Sequence, residues 1–454
     1  MLTSSITRAA LSLTSSVHHR FAENKSTALK FRALLPPVYD SSTVSARSGR
    51  ASQASRRPHR KESAVETPRD QPDRTEVEWF EAGERHAAPW RSNSSVKPPK
   101  KVETFGDELR ADDAMRLASE GTAILWRGDF LGARQLLDAL KRRLDRQQVK
   151  PDPDLAVTFH RHRQARAHRT RILSMVLIEL GADFGIDLRR APDIREACRE
   201  AYGEATEPSV ACLQELLGAV GAHEWRRRGV LVPALGARIH PHYGVFAPTR
   251  NEYVDLVAEA QLPTAGTAFD LGTGTGVLAA VLARRGVGRV VATDIEPRAV
   301  ACATDNLQRL GLADLVEVVR TDVYPAGTAD LVVCNPPWVP AAPTSSIELG
   351  VFDRKGHMLT EFIRGLPDHL NPGGEGWLVL SDLAERLGLR TRAQLTDQFE
   401  QAGLTVLGRT DTRPRHPRAS GARPEGRGTG GRDPLAAVRA AEVVSLWRLA
   451  VRAH

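Results

Sequence analysis

The chain has 454 residues, 41% of them hydrophobic, and 63 Lys and Arg against 55 Asp and Glu give it a formal charge of +8. That length allows two or three domains, and that apolar content can bury a sizeable core. No stretch approaches the roughly eighteen apolar residues needed to span a bilayer, and Cys198, Cys212, Cys302 and Cys334 lack the spacing of zinc or redox motifs. A soluble protein of a reducing compartment, the cytoplasm, with buried thiols and no metal site, is the expectation. The positive balance favours an anionic partner such as RNA, DNA or a ribosome-associated target, with a merely solvated basic face as the alternative.

Residues 1–75 are rich in Ser, Arg, Pro and Ala and sustain no apolar periodicity, which predicts disorder. The basic opening, with Arg8, Arg20, Lys25, Lys30 and Arg32, has the composition of an organelle transit peptide. A dispensable extension or an over-early start codon is the preferred alternative. Residues 76–103 read as a polar linker. Helical spacing follows over 104–228: a first helix opening at Ala111-Asp112-Asp113, a second over 130–144, a third over 155–180, and further helices at 194–202 and 209–220. This predicts a small helical domain that recognises the substrate.

The third helix is basic in its first half, with His160, Arg161, His162, Arg163, Arg166, His168, Arg169 and Arg171. Histidines two apart on a helix point to different sides, so the stretch 160–171 is read as a solvated or RNA-facing surface rather than a metal cluster. Residues 229–250 then change to short β-like runs divided by Pro233 and Gly236, a connecting hairpin.

From 251 to 454 strand-like apolar runs alternate with helices, the pattern of an α/β, Rossmann-like fold in which a parallel sheet is covered on both faces. The first such strand ends in Asp270-Leu271-Gly272-Thr273-Gly274-Thr275-Gly276. Glycines at 272, 274 and 276 let backbone pass close to a ligand at the start of the next helix. Val290-Val291-Ala292-Thr293 ends in Asp294, whose carboxylate can accept hydrogen bonds from both ribose hydroxyls of a nucleoside or can instead cap a helix ahead of Pro297. A third strand runs into Asp322, placed to bond an adenine amino group, with Val323 or Tyr324 against the ring. These features suit a dinucleotide as well as S-adenosylmethionine.

The fourth strand delivers Asn335-Pro336-Pro337-Trp338 at its carboxyl end, where open α/β sheets bind ligands. A planar amide or exocyclic amine has a delocalised lone pair and is a poor nucleophile. Its two hydrogens can be accepted by the Asn335 side-chain oxygen and the Pro336 carbonyl, which returns electron density to nitrogen. The prolines stiffen the loop, and Trp338 can stack on the flat target.

With these residues in place, 238–381 resembles class I S-adenosylmethionine-dependent methyltransferases of the release-factor glutamine N5-methyltransferase (HemK-like) and adenine-N6 group. The resemblance rests on the glycine loop, Asp294, Asp322 and the Asn-Pro-Pro-Trp tetrad. It implies S-adenosylmethionine as cofactor, held by Gly272, Gly274, Gly276, Asp294 and Asp322, and a grip on the acceptor by Asn335 and Trp338; Asp270 and Val323 are expected to join the cofactor site, and Pro336 the catalytic one. Phe246 and Pro248 would belong to a segment lying across the pocket where substrate enters. The resemblance also implies a seven-stranded sheet whose last strand, near 443–447, runs antiparallel.

Trp replaces the Tyr usual in glutamine-modifying members, and 409–434 is a basic loop carrying Arg413, Arg415, His416 and Arg418. Both features leave room for a larger, RNA-containing acceptor. The expected reaction is methyl transfer to a planar amide or amino nitrogen, foremost a glutamine of a translation protein, alternatively a base of rRNA, tRNA or DNA. A nucleotide-dependent oxidoreductase and a non-catalytic RNA-binding protein are the readings from other classes.

Overall fold

The computed structural model describes residues 76–452 except 95, 148, 265, 344–345 and 415–433. The disorder expected for 1–75 and most of the basic loop over 409–434 therefore lie outside the described residues. Arg409 itself is in a strand rather than a loop.

The first half begins with a hairpin, β1 (Glu76–Glu81) and β2 (Glu84–Arg91), turned at Ala82-Gly83 with both residues at positive φ. That backbone matches the right-handed twist of the paired strands. Next come β3 (Lys101–Phe105), α1 (Ala111–Glu120), β4 (Thr122–Trp126) and α2 (Phe130–Asp145). The domain continues with α3 (Leu155–Leu173), β5 (Val176–Leu180), α4 (Arg195–Tyr202), β6 (Ser209–Cys212) and α5 (Leu213–Arg228). Asp129 and Asp154 start α2 and α3 by accepting the backbone N–H of Leu131 and Ala156, each at 2.8 Å.

The six strands form one sheet in the order β1-β2-β6-β5-β4-β3. Its outer face is covered by helices through Leu117, Leu137, Leu140, Ile172 and Leu216. On the other face β1 comes round beside β3, so that Val77, Trp79, Val102, Leu125 and Leu177 pack together.

This corrects two expectations. The domain over 104–228 is mixed α/β rather than helical, and 76–103 is three strands rather than a linker. The physical reason is local. Val176–Leu180 follows α3 after only Ser174 and Met175, and it is apolar on both faces, so its periodicity is the same as that of a buried helical turn. Every residue of β4 is likewise buried.

A short hairpin, β7 (Val230–Val232) and β8 (Ala237–Ile239), leads into the second half. There α6 (Glu252–Glu259), β9 (Thr267–Leu271), α7 (Val277–Arg284), β10 (Arg289–Asp294), α8 (Pro297–Arg309), β11 (Val316–Arg320) and β12 (Ala329–Cys334) alternate. They are followed by α9 (His357–His369), β13 (Leu370–Ser381), α10 (Leu383–Arg386), α11 (Arg392–Gln401), β14 (Leu404–Thr412), α12 (Ala436–Ala440) and β15 (Val444–Val451).

The sheet has seven strands in the order β11-β10-β9-β12-β13-β15-β14, as expected, with β15 antiparallel to both neighbours. α6, α7 and α8 cover one face and α9 and α11 the other. The seven buried residues of α7, from Val277 to Ala283, show why this helix is apolar all round. Among the described residues no helix is long and apolar enough to cross a membrane.

The strand assignment in the first half has a direct test. Ile178 is fully buried on β5 between the two apolar faces, so Ile178→Ala should cost about 2–5 kcal/mol in urea unfolding. A loss under about 0.5 kcal/mol would place residue 178 outside a packed strand.

Candidate active site

Register brings the motifs together. Leu271 on β9 pairs with Thr293 on β10 and with Cys334 on β12, so Gly272, Asp294 and Asn335 each begin one residue beyond a matched row. Asp294 in turn pairs with Arg320, so the Thr321-Asp322-Val323 turn leaves β11 at the same edge. With strands about 4.8 Å apart, Asp294 and Asn335 flank the glycine turn at roughly 10 Å from one another. Between them lies a cavity of about 530 Å³ lined by Gly272, Gly274, Asp294, Asp322, Val323 and Asn335, within the usual range for small-molecule sites.

Buried carboxylates hold the glycine turn. Asp270 is 1% exposed, and its Oδ2 accepts the Thr273 hydroxyl at 2.6 Å and the Ala279 N–H at 3.0 Å. It lines the cavity floor, but its bonded oxygen is committed to shaping the loop. Gly274 donates its N–H to Asp294 Oδ2, and Glu296 donates to Asp294 Oδ1, each at 3.0 Å. Asp294 thus braces the loop and leads into α8 while keeping a place in the cavity wall.

Gly272, Gly274 and Gly276 all have positive φ, and each is tied to its position differently. A Cβ on Gly272 would lie 2.3 Å from Met358 Cε, and one on Gly276 would lie 3.2 Å from Ala303 Cα in α8. Gly274 meets nothing nearer than 4.0 Å and presents bare backbone to the cavity. A loop that presents backbone in this way, beside a carboxylate, fits the nucleoside end of S-adenosylmethionine.

The remaining expected residues are distributed unevenly. Asp322 is exposed at the rim, 3.9 Å from His357 Nε2. Val323 lines the cavity at φ 58°, an unusual backbone for a β-branched residue, and its carbonyl accepts the Thr293 hydroxyl at 2.7 Å. Tyr324 faces away, its hydroxyl donating to the Phe362 carbonyl at 2.6 Å and its ring stacked on His369. Phe246 lines the cavity, whereas Pro248 is buried behind the lining, as is Pro336 in the tetrad.

Trp338 is placed otherwise than a stacking platform requires. Its indole N–H donates to Asn335 Oδ1 at 2.9 Å, its ring packs into three apolar clusters, and it does not line the cavity. The Arg250 guanidinium lies 5.0 Å from its ring centroid. Arg250 is held by Glu252 at 2.5 Å and Glu442 at 3.2 Å, both nearly fully buried, and Glu442 also accepts the Ser381 hydroxyl. The sequence marked neither Arg250 nor Glu442 for a role. The two lie 192 positions apart, so no local spacing could have paired them.

Burial raises the Asp270 carboxyl to about 6, against the bonds from Thr273 and Ala279 and with a further push from Asp294. An unfolded chain releases this proton near pH 4 while the folded one keeps it to about 6. Stability therefore falls as pH rises through that window, by on the order of 3 kcal/mol in all. Asp270→Asn keeps an oxygen for both donors, so its stability relative to the parent should rise between pH 4 and 7 and then level off. Urea midpoints across that range measure this, and a difference independent of pH would contradict it.

Known proteins are similar to parts of this chain. A release factor glutamine methyltransferase of Cereibacter sphaeroides is 32% identical over 180 residues, 37% of this chain and 63% of that protein. A ribosomal protein L11 methyltransferase of Pelotomaculum thermopropionicum is 51% identical over 72 residues, 15% and 23% of the respective chains. The chain thus spans less than two thirds of the length of these relatives. Among solved structures, a methyltransferase from Pyrococcus furiosus aligns with 51% of this chain and 98% of its own at 17% identity and a TM-score of 0.35. Residues 236–406 match the family described as the methyltransferase small domain.

Proposed function

We propose that the protein transfers a methyl group from S-adenosylmethionine to a planar amide or amino nitrogen, foremost a glutamine side chain of a translation protein. The observation that carries this reading is Asn335, set at the end of β12 in the same cavity as the glycine loop. When bound, S-adenosylmethionine supplies an electrophilic methyl carbon and departs as a neutral thioether.

The chain's own residues bind and orient. The turn from Gly272 to Gly276 admits the nucleoside, and Asp294 faces its ribose. The Asn335 oxygen has two lone pairs. One is taken by the Trp338 indole, which fixes the carboxamide, and the other accepts a hydrogen of the acceptor nitrogen. Alignment at near-attack distance then supplies much of the rate. In this arrangement Trp338 and Arg250 are positioning residues.

The glutamine reading is supported by the release factor glutamine methyltransferase among the relatives, and a translation protein as acceptor also by the ribosomal protein L11 methyltransferase. The nucleic-acid reading drew on the basic stretch 160–171. Arg161, Arg163 and Arg169 there are each paired with an acid, Asp152, Glu348 and Asp145 respectively. Those ion pairs favour a protein acceptor.

Incubation with tritiated donor in a ribosome-plus-factor extract should give label that protease removes and nuclease does not. Asn335→Ala should lower transfer by on the order of 10²-fold or more while calorimetric affinity for S-adenosylhomocysteine is unchanged. Label destroyed by nuclease would move the acceptor to nucleic acid. Heat from NADH in place of S-adenosylhomocysteine would replace methyl transfer with redox chemistry.

Trp338→Phe keeps the ring and removes the N–H, so transfer should fall about tenfold with cofactor affinity intact. Unchanged transfer would show that the indole N–H does not position the Asn335 carboxamide.

A further inference from the structure

A second, larger cavity of about 870 Å³ lies between the six-stranded and seven-stranded halves. It shares Gly244, Val245, Phe246 and Phe352 with the cavity at the glycine loop, so the two are separated by a wall of a few side chains. Its floor is apolar, built from Phe159 of α3, Val339, Leu383, Leu387 and Leu435. Trp338 packs against this same floor and donates to Asn335, so the floor is in physical contact with the residues that position the Asn335 carboxamide.

Its charged side is made by α3 and α12. Arg163 points across the cleft, grips Glu348 with three contacts of 3.1 Å, donates to the Ala342 carbonyl at 2.6 Å, and covers the Phe352 ring at 4.1 Å. That arginine ties the segment after the tetrad to α3. Arg166, one turn along, stands 3.8 Å from Glu348 with 59% of its side chain exposed. His162 and Arg439 line the same cleft. Burial first, then the charges of Arg166, Arg439 and Arg163, hold the His162 imidazole below its ordinary range. Burial and Arg166 do the same to the Arg439 guanidinium. Arg163, Arg166 and Arg439 outnumber the two carboxylates of the lining, Glu215 and Glu348, which leaves the cleft a positive potential suited to an incoming anion.

We propose that this cleft seats the polypeptide that flanks the methylated side chain, with its apolar residues on the Phe159–Val339–Leu387 floor and an acidic residue paired with Arg166. The proposal rests on the reading of the adjoining cavity as the methyl-transfer site. A polypeptide is favoured over nucleic acid on two grounds. Most floor residues are aliphatic and the Phe352 ring beside them is covered by Arg163, whereas bases require open aromatic platforms. The other arginines of α3 that a phosphate backbone would follow, Arg161, Arg163 and Arg169, are engaged with acids of the chain itself.

The test uses the full chain saturated with S-adenosylhomocysteine and three fluorescein-labelled probes read by anisotropy. These are a heptapeptide of Leu, Phe, Gln and Glu, its counterpart with Gln at every Glu, and a twelve-nucleotide single strand. The acidic peptide is expected to bind at least about tenfold more tightly than the neutral one. Arg166→Glu should remove that preference and Arg171→Glu, on the same helix but outside the cleft, should leave it. Both positions are solvent-facing, so circular dichroism and S-adenosylhomocysteine affinity should match the parent.

Equal binding of the two peptides, binding of neither, or a preference that survives Arg166→Glu would overturn the proposal. So would tighter binding of the oligonucleotide with the same loss in Arg166→Glu, which would make the cleft a phosphate site. If S-adenosylhomocysteine itself fails to bind, it is the reading of the adjoining cavity that falls. If it binds and the peptides do not discriminate, only the cleft assignment falls.

Discussion

Parallel pairing of β9 between β10 and β12 is the constraint on which the site depends. Because Leu271 is matched to Thr293 on one side and to Cys334 on the other, the three chain reversals that follow open at one edge and at one level. A one-residue slip in either ladder would turn Asp294 or Asn335 to the opposite face of the sheet. The register is secured by burial: Ala268, Leu271, Val290, Ala292, Leu331 and Val333 have no exposed surface, and helices cover both faces. The glycine turn then needs only its two aspartates, which act from inside the protein as much as toward a ligand.

Asn335 occupies the other side of that edge under tighter control than its loop position suggests. Its carboxamide is bonded to Trp338, whose ring is pinned by Arg250, which is itself fixed between two buried glutamates. This chain of contacts runs from the catalytic edge to Ser381 at the end of β13 and to Glu442 just before β15. Breaking a buried arginine–carboxylate contact leaves an uncompensated charge, so such a network holds geometry more firmly than single hydrogen bonds would. It also passes beside the cleft between the six-stranded and seven-stranded halves, whose floor packs against Trp338.

The catalytic half was legible because its signals are local and of different kinds. Glycines at 272, 274 and 276, an acid at the end of the next strand and prolines at 336 and 337 mark chain reversals, and the runs between them are long enough to be told from loops. The first half was not legible in the same way. β4, β5 and β6 are four or five residues long and almost wholly buried, so no alternation marks them, and Gly121 and Pro208 ahead of β4 and β6 read equally well as breaks between helices.

The β1–β2 hairpin did carry a signal. Val77 and Trp79 are buried between exposed Glu76 and Glu78, and Ala82-Gly83 turns the chain, yet the high charge of the stretch reads as linker. The tetrad shows the remaining limit. Its residue types point to the chemistry, but whether Trp338 faces the acceptor or the core is decided by Arg250, Glu252 and Glu442, which come together only in the folded chain.

The most direct measurement is a crystal structure of the protein with S-adenosylhomocysteine. The account requires the nucleoside against the turn from Gly272 to Gly276, its ribose at Asp294 and its sulfur directed toward Asn335 with space for an acceptor nitrogen between them. A nucleoside bound elsewhere, or a sulfur turned away from Asn335 with that space filled, would contradict it.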